Sequence, residues 1–203
     1  MDGLQVARKS LASYITQPLV SLLAKTSITP NMVTWFGFIL IIVASILVGF
    51  GHPFAAGWVV LLSGFFDIID GALARKTNQV TRFGGALDST LDRVSEAVIL
   101  LGIAAMYLFN ASIFNPWIIL LIGITITGSF LVSYVRARAE ALKIDCQVGI
   151  FTRAERVIIL ALGLLLSSIP YVLVGSLVII AILSIFTTIQ RLVHVWKMAR
   201  DNQ

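Results

Sequence analysis

Apolar residues along this chain gather in long runs that charged residues interrupt at only a few places. Six runs stand out, at 32–50, 54–73, 84–109, 117–139, 154–172 and 174–195. Each is close to the roughly 20 residues that carry a helix across about 30 Å of hydrocarbon. The fifth and sixth are parted only by the Ser-Ser-Ile-Pro turn at 167–170. Ahead of them, residues 4–25 place apolar positions at helical spacing, with Arg8, Lys9 and Lys25 on the other face. That pattern predicts an amphipathic helix lying on a membrane surface. An ordinary soluble leader helix is disfavoured, because the pattern predicts no soluble domain for it to pack on. The expectation is an all-α, polytopic membrane protein with six transmembrane helices and an N-terminal amphipathic surface helix. A single domain then fills 1–203, with 1–27 as the juxtamembrane helix and 28–197 as the six-helix core.

Composition agrees with the pattern. Of 203 residues, 58% are hydrophobic and only 12% charged, and the mean hydropathy is +0.96. A soluble domain of this size needs more polar surface, and the same figures exclude a disordered chain or a disulfide scaffold. The single Cys146 permits no internal disulfide. No cleavable signal peptide is expected, because the first apolar run is short and meets Lys25 before any small-residue cleavage site.

Charge placement then orients the spans. The connections at 51–53, 110–116 and 167–173 contain no Lys or Arg, whereas the N-terminal segment, 74–83, 136–156 and the C-terminal tail hold nearly all 15. With six spans those basic segments all fall on one side, which the positive-inside rule assigns to the cytoplasm. An integral protein of the plasma membrane with both termini cytoplasmic is expected. The net charge of +5 is thereby explained without nucleic acid as a partner.

Candidate chemistry sits where the second run meets the third. Asp67 and Asp70 are three residues apart, Asp88 and Asp92 four apart, so each pair occupies one helix face. A short connection makes the two helices antiparallel neighbours and lets those faces confront each other. One acid within a span costs about 2.5–3.5 kcal/mol on insertion scales, and four together repel. Within the spans only Arg93, directly after Asp92, and Arg75, at the mouth, offer neutralisation. An all-oxygen donor set of this charge suits one or two Mg²⁺ or Mn²⁺ ions rather than Zn²⁺, which prefers Cys and His. Gly64, Gly71, Gly84 and Gly85 flank the acids. They allow close helix packing, and also let backbone approach a phosphate that Arg75 and Arg82 could neutralise. Acids in membrane helices also mark ion pathways, so an ion-coupled transporter is the rival reading. Its acids belong near the midplane, however, and these crowd one interface.

The full pattern is Asp67, Asp70, Gly71, Ala74, Arg75, Gly84, Asp88 and Asp92, eight identities over 26 residues. It resembles the signature of the CDP-alcohol phosphotransferases, with every position filled. The lead-in Ile-Thr-Pro-Asn-Met-Val-Thr at 28–34 and the six spans are similar to that family too. The resemblance implies an enzyme that passes a phosphatidyl-type group from a CDP-linked lipid to an alcohol, releasing CMP. It implies that Asp67, Asp70 and Asp88 ligate two divalent metals, that Asp92 completes or adjoins that site, and that Asp92 is the general base. It further implies that Gly71, Ala74, Arg75 and Gly84 line the CDP site, with Asn31, Thr34 and Thr81 as further candidates, and that the protein is a homodimer.

The acceptor must be read from a second basic region. Arg136, Arg138, Arg153 and Arg156 lie in the 136–156 segment that links the fourth and fifth runs, and Arg191 sits near the end of the sixth. Five arginines exceed the need of a neutral alcohol, and the guanidinium fork matches phosphate oxygens. Arg136 and Arg138 are two apart, so only one of them is expected to face a cavity. The segments Ser-Tyr-Val-Arg-Ala-Arg-Ala-Glu at 133–140 and Arg-Ala-Glu-Arg at 153–156 are similar to the branch of the family whose acceptor is inositol phosphate. On that resemblance all five arginines would hold the acceptor phosphate. Glycerol-3-phosphate is the alternative acceptor. Glu96, one turn past Asp92, is read as a partner of Arg93 or a supporting group, not a ligand. His52, His194 and the four tryptophans suit packing and interfacial anchoring.

Overall fold

In a computed structural model, residues 17–201 are described, and among them every regular element is helical. Residues 17–23 form the described part of α1. Six longer helices follow: α2 (Pro30–Gly49), α3 (Pro53–Lys76), α4 (Arg82–Phe109), α5 (Pro116–Ala141), α6 (Arg153–Leu165) and α7 (Val172–Asp201). Each of the six predicted runs thus becomes a helix. The expected surface helix over 4–25 is helical at 17–23, and residues 4–16 lie outside the described part.

The starts are written locally. Proline occupies the first turn of α2, α3 and α5, where its missing N–H leaves no bond unmade and its φ is already helical. Thr29, Thr81 and Asn115 cap α2, α4 and α5 by accepting from backbone N–H groups. The α6 start is a capping box, in which Thr152 and Glu155 satisfy each other's end. α6 ends at Leu165, earlier than its apolar run suggests, because the chain turns through 166–171 with Tyr171 left-handed at φ 64°.

Among the described residues, four helices are long and apolar enough to cross a membrane: α2, α3, α5 and α7. The chain is an integral membrane protein. α4 has the length, but its first four turns carry Arg82, Asp88, Asp92, Arg93 and Glu96. α6 has only 13 residues.

Packing divides the helices into two layers. α2 packs on both α3 and α4, while α7 packs on both α5 and α6, and the layers meet where α3 touches α6 and α4 touches α5. Small residues allow the closest approaches. A Cβ on Gly102 would stand 2.5 Å from the Ser45 carbonyl oxygen, and one on Gly57 2.8 Å from Leu165. Serines tie the same seams: Ser45 donates to the Val98 carbonyl at 2.7 Å and Ser63 to that of Gly37 at 2.9 Å. A main apolar core runs through Val48, Val60, Leu100, Ile103, Leu164 and Leu177. A smaller one joins Val20 of α1 to Val33, Ile69 and Leu73. α1 is therefore seated on α2 and α3 at the end of the bundle that carries the acids. Large apolar side chains such as Ile39, Ile46, Leu101, Leu120 and Ile182 face outward, as a lipid-facing surface requires.

Candidate functional site

The α3–α4 corner brings the acids together as their spacing predicts. Asp67, Asp70 and Asp88 each present a carboxylate oxygen, and the three oxygens lie within 4.8 Å of one another. Asp70 is buried, and Thr34 of α2 donates to its Oδ2 at 2.7 Å. That bond fixes the carboxylate's orientation as an outer-shell partner does for a metal ligand. Three convergent hard oxygens with one braced from behind fit a divalent cation.

Asp92 stands beside this triad and has a different partner. Arg153, the first residue of α6, reaches across the layers and puts Nη1 2.8 Å from both Asp67 Oδ2 and Asp92 Oδ1. Arg153 is the ion-pair partner of Asp67 and Asp92, while Arg93 donates to the Ser89 carbonyl and acts on Asp88 through its charge without a direct bond. Arg153 is held at that spot by the α6 capping box. The signal was present as Thr-Arg-Ala-Glu at 152–155, a helix-start motif that puts Arg153 at the first helical position.

The residues expected at the nucleotide gather in three small groups along the corner. Thr34 is on Asp70. Asn31, Thr81 and Gly84 meet, since a Cβ on Gly84 would stand 2.9 Å from Thr81 Oγ1 and 3.2 Å from Asn31 Oδ1. Arg75 folds over Gly71, its Nη1 3.4 Å from where a Cβ would be. Ala74 is half-buried.

A cavity of about 620 Å³ opens from the acids toward the second layer. Asp67 and Asp92 line one wall; Arg136, Arg153, Arg156 and Arg191 line the other. Arg138 is exposed and absent from this lining, as its two-residue offset from Arg136 requires. The four arginines are not equivalent. Arg136 is half exposed and paired with Glu140 at 2.9 Å. Arg191 is buried and donates through Nε to the Val148 carbonyl at 2.9 Å, and through Nη1 to that of Val132. Arg156 is buried and holds Glu96 through two bonds, at 2.6 and 2.9 Å. Glu96 is thus the partner of Arg156, not of Arg93. Nothing local in sequence announces that pair, because its members are 60 residues apart.

The connection from α5 to α6 is pinned to α7 at three points. Beside the Arg191 bond, Gln190 accepts from the Ile150 N–H at 3.4 Å, and His194 Nε2 lies 2.9 Å from the Asp145 carbonyl oxygen. His194 therefore supports a loop, in keeping with a packing role. Burial pushes the Cys146 thiol in this connection above its ordinary pKa, which leaves it an inert packing group.

Comparison with known proteins meets this geometry. The family model described as CDP-alcohol phosphatidyltransferase matches residues 27–196. The chain belongs to that family. Among its relatives, an archaetidylinositol phosphate synthase from Methanothermobacter thermautotrophicus is 38% identical over 176 residues, covering 85% of this chain and 86% of the relative. The crystal structure of Mycobacterium tuberculosis phosphatidylinositol phosphate synthase with CDP-DAG bound superposes with a TM-score of 0.82 at 32% identity, covering 90% of this chain and 94% of that one. The same synthase in complex with manganese and citrate gives 0.81 at 32% identity, covering 89% and 88%. As a member of that family, this chain is an enzyme that transfers substituted phosphate groups.

Proposed function

We propose that this enzyme transfers a phosphatidyl-type group from a CDP-linked lipid, CDP-diacylglycerol or CDP-archaeol, to a hydroxyl of inositol phosphate, releasing CMP in phospholipid biosynthesis. The observation that carries the reading is the single cavity with a carboxylate wall and an arginine wall. One wall suits a cation and a diphosphate; the other suits a second, phosphorylated substrate. Relatives named as inositol-phosphate-lipid synthases support that choice of acceptor.

Asp67, Asp70 and Asp88 would hold two divalent ions, Mg²⁺ or Mn²⁺, with Asp92 adjoining. When bound, the ions offset the diphosphate charge and the charge that develops in transfer. The rest falls to the chain. Gly71 leaves room for the diphosphate, and Arg75 above it neutralises an oxygen. Asn31, Thr34, Ala74, Thr81 and Gly84 complete the CDP side. Arg136, Arg153, Arg156 and Arg191 hold the acceptor phosphate, which sets the acceptor hydroxyl beside Asp92. An acceptor O–P bond forms to the lipid-linked phosphorus while the P–O bond to CMP breaks. The hydroxyl proton passes to Asp92. In this reading Arg153 moves its charge from Asp92 to the acceptor phosphate as the site fills.

Six crossings, with α4 and α6 completing the set, put both termini and the site on the cytoplasmic side of the plasma membrane, as the distribution of Lys and Arg supports. α1 then lies at that surface, one membrane domain spans the chain, and two chains associate as a homodimer. An acceptor panel tests the chemistry. Purified protein with CDP-diacylglycerol and Mn²⁺ should release CMP with inositol phosphate and not with free inositol. Release with glycerol-3-phosphate alone would move the assignment to a phosphatidylglycerophosphate synthase.

A further inference from the structure

Glu96 is the one acid of the corner that neither the metal nor the proton transfer uses. It lies one turn beyond Asp92 on α4 and is 9% exposed, and its partner Arg156 is 2% exposed. Arg156 commits Nε and Nη2 to the two Glu96 oxygens. Its third nitrogen, Nη1, is buried with no hydrogen-bond partner, and both residues line the large cavity. A buried guanidinium N–H without an acceptor is unfavourable, and it is satisfied once an anion enters.

The pair repeats the step of its neighbours. Asp92 and Glu96 are one turn apart on α4, Arg153 and Arg156 one turn apart on α6, and the two helices are bridged as two rungs. The rungs differ in character. The Arg153 rung is about a third exposed and shares one nitrogen between two acids. The Arg156 rung is buried and bidentate, and it lies in the lining of the cavity. Such a buried pair adds little net stability over an apolar pair of similar size. What a two-point bond does set is direction, because it removes the side chain's rotational freedom before a ligand arrives.

We infer that Glu96 is a positioning residue for the acceptor: it locks Arg156 so that Nη1 is a preset donor to the acceptor's phosphate. This deepens the proposed function and rests on its reading of a phosphorylated acceptor. Glu96 touches neither the reacting atoms nor the CDP-linked lipid, so its removal should act on one substrate only.

The test uses the full chain in detergent with Mn²⁺, measuring CMP release against each substrate in turn, and calorimetric binding of inositol phosphate. Glu96→Gln should raise the acceptor KM and weaken acceptor binding by about tenfold, with the CDP-diacylglycerol KM within about twofold of wild type. The variant Glu96→Asp leaves Arg156 in place and keeps the charge but shortens the reach of the carboxylate. It should melt within about 3 °C of wild type and still show a raised acceptor KM with an unchanged CDP-diacylglycerol KM, which a merely structural pair would not. Wild-type acceptor affinity in either variant, or an equal rise in both KM values, overturns the inference. If Glu96→Gln does not fold, Glu96→Asp decides alone. A wild-type enzyme that turns over glycerol-3-phosphate and not inositol phosphate overturns the acceptor reading instead; the same comparison on glycerol-3-phosphate then decides Glu96.

Discussion

The acid corner of α3 and α4, which reaches the cavity through Asp67 and Asp92, and the arginine wall of α5, α6 and α7 are built in opposite ways. The corner is nearly contiguous: Asp67, Asp70, Asp88 and Asp92 fall within 26 residues, on two helices joined by a short turn. Helical periodicity alone therefore sets their convergence. The wall draws Arg136, Arg153, Arg156 and Arg191 from three helices spread over 56 positions. Its convergence depends on how the two layers dock. A site for charge-dense ions tolerates little play, and a local construction delivers it. A site for a bulkier, phosphorylated substrate can be assembled from long side chains with separate anchors.

That contrast can be broken first at the corner, where the effects are largest. Asp92→Asn should lower kcat by about 10²–10⁴-fold, the range for loss of a general base, while Mn²⁺-dependent binding of CDP-diacylglycerol persists. Loss of that binding would instead make Asp92 a ligand. Asp70→Asn should weaken Mn²⁺ binding by about 100-fold, and Thr34→Val by about tenfold, since the hydroxyl acts on the ion through the carboxylate it braces. Titration followed by the paramagnetic resonance of free Mn²⁺ separates the two. Equal losses would mean that Thr34 touches the ion itself.

On the wall the effects should be smaller and confined to the acceptor. Arg136→Gln should raise the acceptor KM by about fivefold, because its guanidinium is half exposed and shared with Glu140. The smallest effect belongs to Arg138→Gln, which should leave both KM values within about twofold. A large effect there would move the acceptor site away from the cavity.

The two regions also differ in how much could be read from residue order. Six helices and the acid corner were legible because each is a local pattern. The split between Arg136 and Arg138 was legible too, as a consequence of 3.6 residues per turn. The partners of the arginines were not. Arg153 shielding Asp67 and Asp92 joins α6 to both α3 and α4, and Arg156 with Glu96 is a contact across 60 residues. Sequence proximity suggested Arg93 for these acids. The helix turns Arg93 back onto its own backbone, and tertiary packing supplies the arginines of α6. The capping box at 152–155 was the one local sign that α6 begins on an arginine.

The early end of α6 has a consequence for the medium around the enzyme. Its 13 residues rise about 20 Å, some 10 Å less than the hydrocarbon thickness. The turn that follows satisfies part of its backbone internally, with Ile169 N–H donating to the Leu166 carbonyl at 2.9 Å and Val172 N–H to that of Ile169 at 3.3 Å. On the six-crossing reading, hydrophobic mismatch is concentrated on this one side of the bundle, where the bilayer must thin or the helix tilt. Acyl-chain length then becomes a mechanical load on the helix that presents Arg153 and Arg156 to the substrates.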